Sequence, residues 1–507
     1  MGQSGPGDDH VEHGLRLAII VAGVSIAAAM QFLDLSIVNV ALPTIGGNLG
    51  ATFDEIGWVV TAYSLAAIAV IPLTGWLSLH LGRKRYFLIS IAGFTVASVL
   101  CGFASTFSEL IAARAVQGIF GGGLVATSQA ILVSTFPAAR QAVAQGIFAI
   151  IAVIGPGLGP TLGGWLTDRY SWPLIFFVNV PFGVFCMVTL GTTMREWPTE
   201  RRSVDVLGIV LLASGLASLQ YFLERGEIRQ WFDDPGIRIA AAWACIGLAW
   251  FVVHALRVKH PVLELRTLRH RNLALAVLAT LALGSNLFGS LLILPLYLQN
   301  ALGFTALGSG ILLAVRVIPT AILTPFAIVL LQRGIIAPRV AAAGGFLALA
   351  AGTYALAWDI TPTSVAQTFV PAMIVIGIAF AFLWTPLGLI ALRGLPPRDL
   401  GYGAALFNLS GQIGGTVSIA AVTALGDRRN AFWDNALASG VTWRNLAVQQ
   451  LSQHFNLHAL LVRIAGNVMA QASVLAYRDL VLLLVVPPLL AIPIILMTRR
   501  TTASSVT

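Results

Sequence analysis

Fourteen apolar runs follow one another along the 507 residues, each of about twenty residues or more and all but the last parted from the one before by a short polar gap or turn. A helix of that length crosses the hydrocarbon core of a bilayer, so the chain is expected to be an all-α membrane protein with fourteen transmembrane helices. The runs cover approximately 17–42, 54–79, 86–104, 107–134, 141–165, 173–193, 206–224, 237–257, 272–298, 305–332, 339–358, 365–391, 400–425 and 479–498. Only 10% of the residues are charged, where a soluble domain carries about 25%, and the deficit extends along nearly the whole chain. Its solvent is lipid.

The few basic residues give an orientation, because short loops rich in Arg and Lys stay on the cytoplasmic side. With the N-terminus inside, every second loop should be basic. Those loops carry Arg83-Lys84-Arg85, Arg140, then Arg195 with Arg201 and Arg202, and next Arg257, Lys259, Arg266, Arg269 and Arg271. Arg333 with Arg339, and Arg393 with Arg398, continue the series, and Arg499-Arg500 follow the last run. The opposite loops are nearly neutral or acidic, as where Glu224, Glu227, Asp233 and Asp234 stand against Arg225, Arg229 and Arg238. Both termini are therefore expected in the cytoplasm. Residues 426–478 stand apart as a long, polar, amphipathic stretch with Trp433, Trp443, Gln449, Gln450, Gln453 and His454. This extracytoplasmic segment is either an ordered hairpin cap or a docking element for a partner.

Several function classes drop out. The net charge of +9 lies in gaps between apolar runs and forms no basic face with stacking aromatics, so nucleic acid is not an expected partner. Cys101, Cys186 and Cys245 lie inside apolar runs without regular spacing and read as packing residues, and the eight histidines lack ligand spacing, so no metal site is expected. No nucleotide-binding lysine loop exists to support direct ATP drive. Gly155-Pro156-Gly157-Leu158-Gly159 follows no strand, and the glycosylation triplet Asn408-Leu409-Ser410 lies inside a spanning run. The first run has no small-residue cleavage site and should remain as a helix.

The fifth run carries the most specific pattern. Gly155, Gly159 and Gly163 recur every four residues and so share one helical face, where the missing side chains let a neighbouring helix come close. Pro156 and Pro160 stand among them and remove backbone donors. The full spacing of Gly146, Gly155, Gly159-Pro160 and Gly163-Gly164 resembles the antiporter motif of major facilitator exporters. Leu33-Asp34 followed by Ile37-Val38-Asn39-Val40-Ala41-Leu42-Pro43 looks like the first-helix motif of the fourteen-helix drug:proton antiporters of the EmrB/QacA type. Arg114-Ala-Val-Gln117-Gly118 is similar to the fourth-helix motif, and Phe176-Phe177-Val178-Asn179-Val180-Pro181-Phe182-Gly183 after Trp172 matches the start of the sixth helix. Gly75 through Gly82-Arg83-Lys84-Arg85 looks like the loop motif between helices 2 and 3. Where that motif often has an aspartate, this chain has Leu79, so packing at Gly75 and Gly82 with Arg83 and Arg85 is left to latch this side.

The resemblance implies two six-helix bundles, residues 1–200 and 261–425 with 479–507, and two inserted helices within 201–260. It implies a transporter rather than an enzyme, with no cofactor beyond protons as the coupling ion. The expected function is proton-coupled efflux of lipophilic, drug-like compounds from the inner (cytoplasmic) membrane by alternating access. A periplasmic adaptor and an outer-membrane channel are implied partners, with residues 426–478 as their natural contact. A dedicated exporter of a siderophore, lipid precursor or secondary metabolite is the alternative, and a non-transporting scaffold a third.

Ionisable residues inside the spans are functional candidates, since burying them is costly. Asp34 stands alone in its run. Arg114 enters the membrane to the same depth, roughly 10–12 Å below the outer surface, which allows the two to pair if their helices adjoin. Arg316 lies roughly 16 Å deep with no charged residue near it in its run, so it should face the central cavity or a partner such as Asp34, helix carbonyls freed by Pro319, or an anionic cargo. Cavity-lining candidates are Met30, Tyr63, Gln117, Phe288, Tyr297, Gln299, Phe380, Trp384 and Phe407.

Overall fold

The computed structural model describes residues 14–51, 53–137, 140–196, 199, 205–259, 261–396, 399–441 and 457–499. Fourteen helices are long and apolar enough to cross a membrane, and they correspond one to one with the fourteen apolar runs. They are α1 (Gly14–Leu42), α2 (Trp58–Leu81), α3 (Arg83–Phe103), α4 (Phe107–Thr135), α5 (Gln141–Arg169), α6 (Leu174–Thr193) and α7 (Val206–Arg225). The rest are α8 (Pro235–Arg257), α9 (Arg271–Asn300), α10 (Leu307–Gln332), α11 (Pro338–Asp359), α12 (Ala366–Leu392), α13 (Leu400–Ser439) and α14 (Leu461–Leu496). Arg201, Arg202, Arg398 and Arg500 lie outside the described residues.

Local sequence explains where these helices bend. Pro72 converts one turn of α2 to a 3-10 helix, and α4 is interrupted at Gly122-Gly123. The α10 helix breaks at Val315-Arg316 and α12 at Phe382-Leu383. The α5 helix runs without interruption through Pro156 and Pro160. Gly82, with φ of 86°, turns α2 into α3 across a single residue, a conformation that strains any other side chain.

Helices α1–α6 pack chiefly on one another, as do α9–α14. The seam between the two groups has two sides. On one, α5 crosses α10 and α12; on the other, α2 and the second half of α4 meet α13. The inserted helix α7 packs on α2 and α13 together, and α8 packs on the outside of α7. Trp58 of α2 stacks on Tyr221 of α7, and Thr416 of α13 donates to Gln220 of α7 at 3.0 Å, so α7 is fastened to both groups.

The stretch expected as a loop at 426–478 is mostly helix. The α13 helix continues to Ser439, and the helix containing α14 begins at Leu457. Asp479 Oδ2 accepts from Arg429 Nε at 2.9 Å and from Trp433 Nε1 at 2.7 Å, which clasps the two extensions together. These turns were not legible as helix because apolarity detects lipid, and they project beyond it. Trp443, Gln449, Gln450, Gln453 and His454 lie outside the described residues.

Candidate functional site

Five helices of the first bundle converge on Asp34, which is 0% exposed, and Arg114, which is 1% exposed. Arg114 Nη1 donates to Asp34 Oδ2 at 2.6 Å and to Gln117 Oε1 at 2.7 Å, while its Nε donates to the Val59 carbonyl at 3.0 Å. Gln117 Nε2 donates to Asp34 Oδ1 at 3.0 Å and to Ser98 Oγ at 2.9 Å, and Asn179 Nδ2 also donates to Ser98 Oγ at 2.9 Å. The guanidinium lies over the Tyr63 ring, 4.4 Å from its centroid. Helical spacing makes this possible: Arg114 and Gln117 are three residues apart and share the face of α4 that meets α1. Both carboxylate oxygens are satisfied and the cation has no aqueous outlet. Removing either charge alone from such a pair leaves the other stranded, at a cost of about 3–5 kcal/mol.

The opposite face of α1 meets the glycine ladder. A Cβ on Gly155 would come within 2.5 Å of Phe32 Cβ, one on Gly163 within 2.6 Å of the Ile37 carbonyl, and one on Gly159 would overlap Ser36. Gly146 and Gly157 instead face α10, at Ile328 and Val317, and Pro160 touches α10 at Gly310. A side chain at Gly164 would meet only Val40, at ordinary contact distance. The α5 helix is thus the strip on which α1, the carrier of Asp34, and α10, the carrier of Arg316, both pack close to backbone.

At the seam, an aromatic series links α1, α5, α12 and α13. Ring centroids are 6.2 Å apart for Phe32 and Phe148, 6.4 Å for Phe148 and Trp384, and 6.4 Å for Trp384 and Phe407. Trp384 Nε1 is buried without a hydrogen-bond partner among the described residues. Beside this series runs an amide chain: Asn408 Nδ2 donates to Gln129 Oε1 at 2.6 Å, and Gln129 Nε2 to Gln145 Oε1 at 3.0 Å. Gly388 of α12 packs directly on the Gln145 amide. Gly75 closes the same side, since a Cβ there would come within 2.6 Å of the Tyr402 ring. The seam is therefore shut by packing and neutral amides, and Leu79 packs on the apolar core where the family motif often has a carboxylate. Arg83 donates to Ser134 of α4 at 3.0 Å, and Arg85 makes an exposed pair with Glu196 at 3.5 Å. Neither of these contacts bridges the two bundles.

The remaining candidates scatter. Arg316, 2% exposed, donates through Nη1 to Ser290 Oγ at 3.2 Å and lies 5.8 Å from the Phe380 ring centroid. Its Nε has no hydrogen-bond partner, and no carboxylate pairs with it, among the described residues. Asp34 is engaged with Arg114 instead, and Ser290 takes the place of carbonyls freed by Pro319. Tyr297 packs between Phe369 and Tyr477 and donates to the Thr361 carbonyl at 2.7 Å, inside the second bundle. Gln299 is exposed and donates to Ser309 of α10 at 3.1 Å. Met30 is buried in the core, and Phe288 lies against Gly415. Phe32, Phe148, Gln129 and Gln145 were not singled out from sequence. The signal that could have found the amides is that neutral polar groups in apolar runs must be paired.

Helices grouped six, two and six about one seam, with a charged network sealed inside the first group, form the architecture of a membrane transporter. Residues 24–419 match the family model of the Major Facilitator Superfamily, and the chain belongs to that superfamily. It is 34% identical over 435 residues to the multidrug export protein EmrB of Escherichia coli strain K12, covering 84% of each chain. It is 32% identical over 448 residues to the fatty acid resistance protein FarB of Neisseria gonorrhoeae, covering 87% of each. These relatives place it with the fourteen-helix EmrB/QacA-type members. The crystal structure of the human organic anion transporter MFSD10 superposes with a TM-score of 0.61 at 15% identity, covering 94% of this chain and 100% of that one, which shows the shared fold. No cluster of three or more His, Cys, Asp or Glu that could hold a metal occurs among the described residues.

Proposed function

We propose that the protein is a proton-coupled multidrug exporter of the bacterial inner membrane that moves lipophilic compounds outward by alternating access. The observation that carries this reading is the closed network of Asp34, Arg114 and Gln117 lodged against the helix that carries the glycine ladder. A proton on Asp34 removes the partner of Arg114, and α1 can answer by moving along α5, where close backbone packing offers little resistance to sliding. The seam then opens on one side or the other, with cargo held near the aromatic series at Trp384 and Phe407. Relatives named for multidrug export and for fatty acid resistance support a lipophilic cargo. The basic loops support cytoplasmic termini.

Arg316, buried at the break in α10 without a carboxylate, is suited to a neutral or acidic cargo or to the proton path. Residues 426–478 are the proposed contact for a periplasmic adaptor and, through it, an outer-membrane channel. The test is transport of a substrate panel in proteoliposomes with an imposed pH gradient. Transport that follows the gradient supports the reading, and absence of gradient-driven movement for every compound would favour a scaffold.

A further inference from the structure

Three distant pieces of chain converge on one hollow. Arg269, His270 and Arg271 at the start of α9, Arg393 after α12 and Arg499 after α14 line a cavity of about 410 Å³ together with Asn272. No acidic side chain lines it, and none of its four guanidiniums has a carboxylate partner among the described residues. The walls are held in place by a reciprocal pair: the Arg499 N–H donates to Asn272 Oδ1 at 2.9 Å, and Asn272 Nδ2 donates to the Arg499 carbonyl at 3.3 Å. That pair uses only the backbone of Arg499 and leaves its side chain free.

Basic residues that merely orient a membrane protein act from anywhere in a short loop and need no shared cavity. Here four arginines from three segments line one hollow, and a polyanion offers oxygens that planar guanidiniums bind in pairs. The position of the hollow decides between anions. It sits where membrane helices end, and the residues just before Arg499, Leu496 and Met497, are exposed apolar side chains. A basic hollow close in sequence to the exposed apolar side chains of Leu496 and Met497 has the chemistry of a phospholipid site, with the headgroup among the arginines and acyl chains along the end of α14.

We infer that the cavity between the ends of α9, α12 and α14 binds the headgroup of an anionic phospholipid, with a two-phosphate lipid as the best match to four arginines. The inference is independent of cargo and coupling. Its test is thermal stability of the purified full-length protein in neutral detergent, titrated with phosphatidylglycerol, cardiolipin, phosphatidylcholine, inorganic phosphate and pyrophosphate. The anionic lipids should raise the melting temperature, cardiolipin at the lowest concentration, while phosphatidylcholine and the soluble anions leave it unmoved. Arg271→Gln and Arg499→Gln should each weaken the lipid effect about fivefold, whereas Arg257→Gln, outside the hollow, should not. Stabilisation by pyrophosphate equal to that by lipid would make this a soluble-anion site and overturn the lipid assignment. Equal responses from Arg257→Gln and the two cavity variants would reduce the arginines to orientation signals. Should a variant fail to fold, native mass spectrometry of the unaltered protein decides: one anionic lipid retained through delipidation supports the site, and none retained overturns it.

Discussion

Gly159 of α5 presses on Ser36 of α1, two residues beyond Asp34, with no room for a side chain between them. The helix that bears the buried carboxylate is therefore gripped on one face by Arg114 and on the other by bare backbone. Gly159→Leu should wedge α1 and α5 apart at a packing cost of about 1–3 kcal/mol. Substrate binding, read by fluorescence quenching, should persist while turnover in proteoliposomes falls. Unchanged turnover would show that α1 and α5 do not need this closeness to cycle.

Asp34→Asn keeps the shape of the carboxyl and removes its charge. The variant should still insert but melt at a lower temperature, because Arg114 is left without its anion, and it should lose gradient-driven transport. Substrate-induced proton release from detergent-solubilised protein should vanish as well, and release equal to that of the unaltered protein would take Asp34 out of the coupling step.

The stability of the same pair makes a separate prediction. Arg114→Gln alone should cost about 3–5 kcal/mol because it leaves a buried carboxylate without its cation. Adding Asp34→Asn should recover most of that loss, since two neutral amides replace two opposed charges. A double-mutant cycle of melting temperatures measures the coupling, and simple additivity would contradict the buried pair.

Arg316→Lys keeps the charge but loses the planar fork, whereas Arg316→Gln loses the charge and keeps some hydrogen bonding to Ser290. Affinity for an anionic cargo should fall most with glutamine, and affinity for a cationic cargo should hold or rise. Unchanged affinities and pH dependence together with a lower melting temperature would make Arg316 a structural pin.

Deleting residues 442–456, the centre of the segment proposed to contact an adaptor, should abolish efflux from cells and leave transport in vesicles intact. Loss of both activities would assign the segment to folding or gating.

The helices were legible because lipid demands long apolar runs, whereas equal depth only allowed Asp34 and Arg114 to pair and the family resemblance tipped the choice against Arg114 reaching out to water. What sequence hid was everything neutral. Asn408 drew notice only as a rejected glycosylation triplet, yet it donates across the seam to Gln129. Phe148 is one of many phenylalanines in an apolar chain, and nothing in its local sequence says that it touches Trp384. Tyr297 had the same standing on paper as Phe407, but its hydroxyl is tied to Thr361 inside the second bundle. Charge announces itself in one dimension, whereas a seam of amides and rings exists only after two distant bundles meet.

The placement of α7 has a consequence for how a compound dissolved in the bilayer reaches the centre. Of the two long clefts between the bundles, the one flanked by α2 and α13 is plugged by α7, bonded to one wall through Tyr221 and to the other through Gln220. The contact between α5 and α10 has no such helix across it among the described residues; there Gly157 packs on Val317 and Gly146 on Ile328. For the proposed lipophilic cargo, the two flanks differ: one is covered by α7, and on the other the glycines of α5 pack directly on α10.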